Sequence, residues 1–160
     1  MNAFSLRDLE SHDRAAVIDL LHELNRFEDA ITGDRATDRK AAAACFADDA
    51  ERMREHGGMQ LVAELTGKPV GYICCVIVQA GPFVRAEQRM QGCVTTLVVA
   101  KTARGQGIGL ELMRAAEDFT RGQGLRRFMV GHVAGNEGAA RLYDKMGLAP
   151  NTIERVKTLD

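Results

Sequence analysis

The chain has 160 residues, 46% of them apolar and 27% charged, with a net charge of −1; that balance suits one globular domain with room for a core. Near-neutrality leaves no basic field for a nucleic-acid backbone. The longest apolar run, Tyr72 to Val78, is far too short to span a bilayer, and Met1 to Asp8 lacks a basic-then-apolar signal layout. The expectation is a single cytoplasmic domain over residues 1–160, with no membrane and no nucleic-acid partner.

Phe4 to Leu9 alternates as a first strand. Ser11 to Asp13 suits a helix cap, and Val17, Leu20, Leu21, Leu24 and Phe27 then recur at helical spacing. Asp29 to Arg35 breaks that pattern. Thr37-Asp38 opens a second helix carrying Ala41 to Ala44, Phe46, Ala50 and Met53, and glycine ends it at His56-Gly57-Gly58. The charge-dense stretch Asp48 to Glu55 reads as the solvated face of that helix. Met59 to Leu65 alternates, Thr66-Gly67-Lys68-Pro69 turns, and Val70 to Val78 is a more buried strand, so a hairpin is expected. A polar loop from Ala80 to Gln88 leads to a fourth strand, Met90 to Val99.

Ile108, Leu112, Met113, Ala116 and Phe119 mark a third helix that stops at Arg121 to Gly124. Leu125 to Val133 reads as a fifth strand. A fourth helix bears Ala139, Leu142, Tyr143 and Met146, with Gly147 as its cap. Thr152 to Val156 reads as a last strand. The order defines an α/β chain with a mixed sheet and helices on both faces. Cys45, Cys74, Cys75 and Cys93 form no Cys-x-x-Cys pair, and no His stands at ligand spacing, so no metal site is expected. All four read as small buried apolar side chains, with the adjacent Cys74 and Cys75 on opposite faces of a strand.

The most distinctive stretch joins the fourth strand to the third helix: Leu97-Val98-Val99-Ala100-Lys101-Thr102-Ala103-Arg104-Gly105-Gln106-Gly107-Ile108-Gly109. Glycines remove side chains where backbone N–H groups could close on a ligand, and the helix start adds a positive dipole end. Together these make a pyrophosphate cradle, although glycines also serve simply to turn a chain. A P-loop is excluded, because Leu110 follows Gly109 where Lys and Ser or Thr are required. A dinucleotide fingerprint starting at Gly105 needs glycine where Leu110 stands, and Phe128 and Val130 occupy the place of its acidic residue.

In these residues the chain resembles the GNAT superfamily of acyl-CoA-dependent N-acetyltransferases. Arg104-Gly105-Gln106-Gly107-Ile108-Gly109 matches that family's phosphate-binding signature at every position, after a strand ending Leu97-Val98-Val99. Asn136-Glu137-Gly138-Ala139-Ala140-Arg141-Leu142-Tyr143, closing at Gly147, matches its second motif. The resemblance implies about six to seven mostly antiparallel strands, splayed between the fourth and fifth, with four helices on both faces. It implies acetyl-CoA as co-substrate and an amine of a small molecule or peptide as acceptor, attacking the thioester directly through a tetrahedral intermediate. Arg104 to Gly109 would hold the pyrophosphate; the backbone of Leu97, Val98 and Val99, with Asn136, would hold the pantetheine arm. Tyr143 would be the general acid, and an N–H near Val99, freed by a bulge, would face the oxyanion.

Two departures bear on function. Many family members carry an acidic base on the fourth strand, where this chain has Thr95 and Thr96. The base is then His132, Glu28 or a water relay, or the protein is a non-catalytic sensor of acyl-CoA. Little chain follows Gly147, so the last strand is absent or a partner completes the sheet as a homodimer. Glu23, Glu28, Asp29 and Asp34 lie among Arg26 and Arg35 and leave the acceptor undefined.

Overall fold

The computed structural model describes residues 4–159; Met1 to Ala3, part of the stretch read for a signal layout, and Asp160 lie outside it. Five strands lie in chain order: β1 (Phe4–Asp8), β2 (Gly58–Leu65), β3 (Lys68–Gln79), β4 (Met90–Val99) and β5 (Phe128–Val130). The first four pair antiparallel and β4 pairs β5 in parallel. Thr66 and Gly67 both take positive φ, which makes the tight turn of the β2–β3 hairpin.

Four helices cover this sheet. Helices α1 (Arg14–Thr32) and α2 (Arg39–His56) lie on one face, and α3 (Ile108–Gly122) and α4 (Glu137–Lys145) on the other. Val17, Ile18, Leu21, Ala42 and Phe46 meet Val62, Tyr72, Cys74 and Val98 on the first face. Ile108, Leu112, Met113 and Ala116 meet Ala63, Ile73, Cys75 and Val94 on the second. Each large apolar side chain buried this way contributes about 1.5–3 kcal/mol. Cys74 and Cys75 fall on opposite faces, as strand alternation demands. Helix α3 packs close to β4 because residue 92 is glycine; a Cβ there would collide with the Thr120 hydroxyl.

Several expectations need correction. Helix α1 does not break at Asp29 but runs to Thr32, where Gly33 at φ 70° caps it. The fifth strand is three residues long, because only Phe128 to Val130 finds a partner on β4. Thr152 to Val156 forms no strand: residues 149–159 carry no regular structure and are exposed, so the sheet has five strands among the described residues. Cys45 is exposed and Cys93 only half-buried. The stretch Asp48 to Glu55 is not wholly solvated either, since Asp49 is 3% exposed.

Candidate acyl-transfer site

Strands β4 and β5 pair only over Gly92 to Val94 and Phe128 to Val130. Past that point a cavity of about 120 Å³ opens. Helix α1 contributes Leu24 and Glu28 to its wall, and β4 contributes Val94 to Leu97. Val130 to His132 close another side, with Asn136, Ala139 and Tyr143 from the α4 region.

A bulge shapes the β4 wall. Cys74 faces Thr96 and Cys75 faces Val94, which leaves Thr95 with no opposite number on β3. The bulge thus lies at Thr95, not beside Val99, where the freed N–H was expected. Strict alternation would put Thr95 and Thr96 on opposite faces. The extra residue instead turns both hydroxyls toward the buried Asp49 of α2.

Asp49 accepts a 2.9 Å hydrogen bond from Thr95 Oγ1 on one oxygen and a 3.1 Å bond from the Tyr72 hydroxyl on the other. Tyr72 in turn accepts from Gln60 Nε2 at 2.8 Å. Burial pushes the Asp49 carboxyl above the ordinary carboxylate range, against the opposing hydrogen bonds from Thr96, Thr95 and Tyr72. Sequence reasoning missed this residue. Ala42, Phe46, Asp49 and Met53 share one helical stripe, so an acid at core spacing was the available signal.

Tyr143 is 7% exposed and lines the cavity. Burial, with the Glu28 charge adding to it, pushes its phenol up to about 12, so it holds its proton at neutral pH. The His132 ring meets Tyr143 edge-on with centroids 5.4 Å apart. Glu28 lines the same cavity, but Arg35 Nε donates to it at 3.0 Å. Asn136 Oδ1 accepts from the Ala139 N–H at 3.1 Å, so its side chain caps α4 while also reaching the cavity wall.

The glycine turn follows β4 through a short 3₁₀ turn, Lys101–Ala103. Gly105 and Gly107 take φ near 80°, conformations that expose successive amides on one side. Among the described residues, no protein acceptor takes the N–H of Gly105, Gln106, Gly107, Ile108 or Gly109. The start of α3 aims its dipole at the same place. Gly109 lies close to Leu142 and Val99, so turn, β4 and α4 converge. The Arg104 guanidinium does not stand free: Nε donates to the Val99 carbonyl at 3.1 Å, and the group lies 4.9 Å over the Phe27 ring. Glu23 holds it further, accepting also from the Lys101 N–H at 2.6 Å. Leu97 and Val99 pack into the α3/α4 core, and Val98 into the other.

An open crown of amides thus lies beside a gap in the sheet, with a protonated phenol in that gap. The chain belongs to the acetyltransferase (GNAT) family, whose model matches residues 18–148. Solved structures of similar fold include a GCN5-related N-acetyltransferase from Ralstonia eutropha, 25% identical with a TM-score of 0.72, covering 98% of both chains. A mutant protein from Bacillus halodurans is 18% identical, with a TM-score of 0.78 over 97% of this chain and 99% of its own. An aminoglycoside N-acetyltransferase in complex with CoA is 15% identical, with a TM-score of 0.70 over 98% of this chain and 93% of its own. No curated protein matches the sequence. Among the described residues no helix is long and apolar enough to cross a membrane.

Proposed function

We propose that this chain is one cytoplasmic N-acetyltransferase domain that moves an acetyl group from acetyl-CoA to a primary amine of a small molecule or peptide. The observation that carries this reading is the row of unpaired amides from Gly105 to Gly109. Such a row suits two linked phosphates and needs no cationic side chain, which fits an Arg104 already engaged by Phe27 and Glu23. Unpaired β4 backbone past Val94 would take the pantetheine arm as an added strand, with Asn136 beside it. The amine then attacks the thioester carbonyl directly. Tyr143 keeps its proton at neutral pH and stands as the donor to the departing thiolate.

Melting curves test the site: CoA is expected to stabilise the protein, and ATP and NAD to leave it unchanged. Thiol release from acetyl-CoA over amino acids, polyamines, aminoglycosides and peptides tests the reaction. Tyr143→Phe is expected to lower that release by about 10²-fold; full activity in this variant would remove Tyr143 from the mechanism.

A further inference from the structure

We propose that Asp49, acting through the Thr95 hydroxyl, orients the acceptor amine in the cavity between β4 and β5 and receives its proton. The inference rests on the acetyltransferase reading and adds to it a charge-receiving group from a different element.

Hydrogen-bond direction carries the argument. The Gln60 amide donates to Tyr72, and Tyr72 donates to Asp49 Oδ2. Thr95 donates its single proton to Asp49 Oδ1 at 2.9 Å, the nearer of two inward acceptors, the other being the Cys74 carbonyl at 3.4 Å. Every polar contact therefore runs toward the carboxylate, as an ionised acid requires. With its proton committed inward, the Thr95 oxygen can only accept from the other side. Thr95 is one of the residues that line the cavity. A wall group that only accepts, backed by a buried negative charge, selects a donor carrying positive charge. An alkylammonium is such a donor.

The charged surroundings support the same sign. Asp49 is faced by Tyr72 and Cys74 of β3, by Thr95 and Thr96 of β4, and through Tyr72 by Gln60 of β2. Arg52 on the same helix feels its charge but is bonded to Asp48 at 2.8 Å. Across the cavity α1 contributes Glu28, already paired with Arg35. Among the described residues no Lys or Arg side chain lies within ion-pair distance of Asp49. The negative charge is left for something that enters.

The proton step balances without a further reagent. As the bound ammonium gives a proton to Thr95 Oγ1, the Thr95 proton passes to Asp49 Oδ1. The amine keeps the freed electron pair and attacks; as the intermediate collapses, Tyr143 protonates the departing thiolate and the nitrogen's second proton restores Tyr143, while Asp49, now a neutral carboxylic acid, returns its proton to water after product leaves. Thr95 is the group that touches substrate, and Asp49 is a positioning residue behind it.

The experiment follows thiol release from acetyl-CoA with spermidine, an aminoglycoside, lysine and a lysine-bearing peptide, from about pH 5.5 to about pH 9.5. CoA-dependent melting shifts are taken in parallel. Asp49→Asn and Thr95→Val are each expected to lower kcat about 10²-fold and to erase the acidic limb of its pH profile. Thr95→Ser is expected to restore rate and limb to within about threefold. All variants should keep the CoA shift of the wild type. Wild-type kcat with an intact acidic limb in Thr95→Val overturns the proposal, as does a Thr95→Ser variant no better than Thr95→Val. If Asp49→Asn does not fold, the two Thr95 variants decide alone. A CoA shift with no turnover of any amine removes the acceptor role and leaves the CoA site standing. No CoA shift in the wild type removes the acetyltransferase reading itself.

Discussion

Two buried aspartates sit at opposite ends of the sheet's helical cover and do opposite things. Asp13, 1% exposed, receives Arg7 in a two-pronged contact at 2.7 and 2.8 Å, plus the Glu10 N–H at 2.9 Å. Arg7 also bonds Glu64 at 2.7 Å, so the corner of β1, β2 and α1 is tied by one cation between two acids. Asp49, 3% exposed, receives only hydroxyls. The Arg7 guanidinium holds the Asp13 carboxyl below the ordinary carboxylate range, whereas burial lifts that of Asp49. A buried acid with its own cation is finished as structure. A buried acid with only neutral donors keeps a charge that no protein cation meets, and the Thr95 bonded to it lines a cavity.

Stability measurements would sharpen this contrast. The largest effect is expected from Arg7→Ala, which strands Asp13. Urea unfolding at pH 7 should show a loss of about 2–3 kcal/mol, below the usual cost of breaking a buried pair because Arg7 keeps a quarter of its side chain in water. The Asp13 contribution is present above the unfolded carboxyl's pKa and disappears as pH falls through the lower folded value. The gap between wild type and Arg7→Ala should therefore close on acidification. Asp49→Asn should behave in the reverse sense. A carboxyl raised in the folded state loses stability as pH rises from the unfolded value through the folded one. Removing it is expected to cost no more than about 1 kcal/mol at pH 7, with wild type gaining relative to the variant as the solution is acidified. If both variants moved in the same direction with pH, the distinction between the two acids would collapse.

The smallest effect is expected where the charge is neither buried nor alone. Glu23 and Arg104 side chains are 39% and 40% exposed and 3.4 Å apart. Glu23→Gln should change stability by no more than about 0.5 kcal/mol, read from the urea midpoint. A much larger loss would mean that the latch between α1 and the glycine turn is a third anchor of the Asp13 kind.

The readable parts of this molecule were those written in local pattern. Leu112, Met113 and Ala116 at helical spacing, the Thr66-Gly67 turn and the glycines at 105 and 107 each act within a few residues, and the structure places them as their spacing requires. What escaped is what depends on a distant partner. The fifth strand is short because β4 offers it only three residues, a limit absent from Leu125 to Val133 itself. The neighbours Asp48, Glu51 and Arg52 mark Asp49 as solvated; its burial follows from Tyr72 and Thr95, 23 and 46 positions away. The two threonines marked where a carboxylate was missing without showing that one arrives from behind.

The unpaired residue in β4 has one more consequence. It divides the strand into two stretches whose inward and outward positions are out of phase, with Cys93 and Thr95 before the break and Thr96 and Val98 after it all turned to the same helices. Exchanging the side chain at 95 alters one wall of a small chamber. Deleting the position would make Val94 and Thr96 neighbours opposite Cys75 and Cys74, restore strict alternation, and leave Cys93 and Val94 on the faces they hold now. Loss of this one residue should therefore leave both faces of the sheet in place while removing the hydroxyl that meets Asp49.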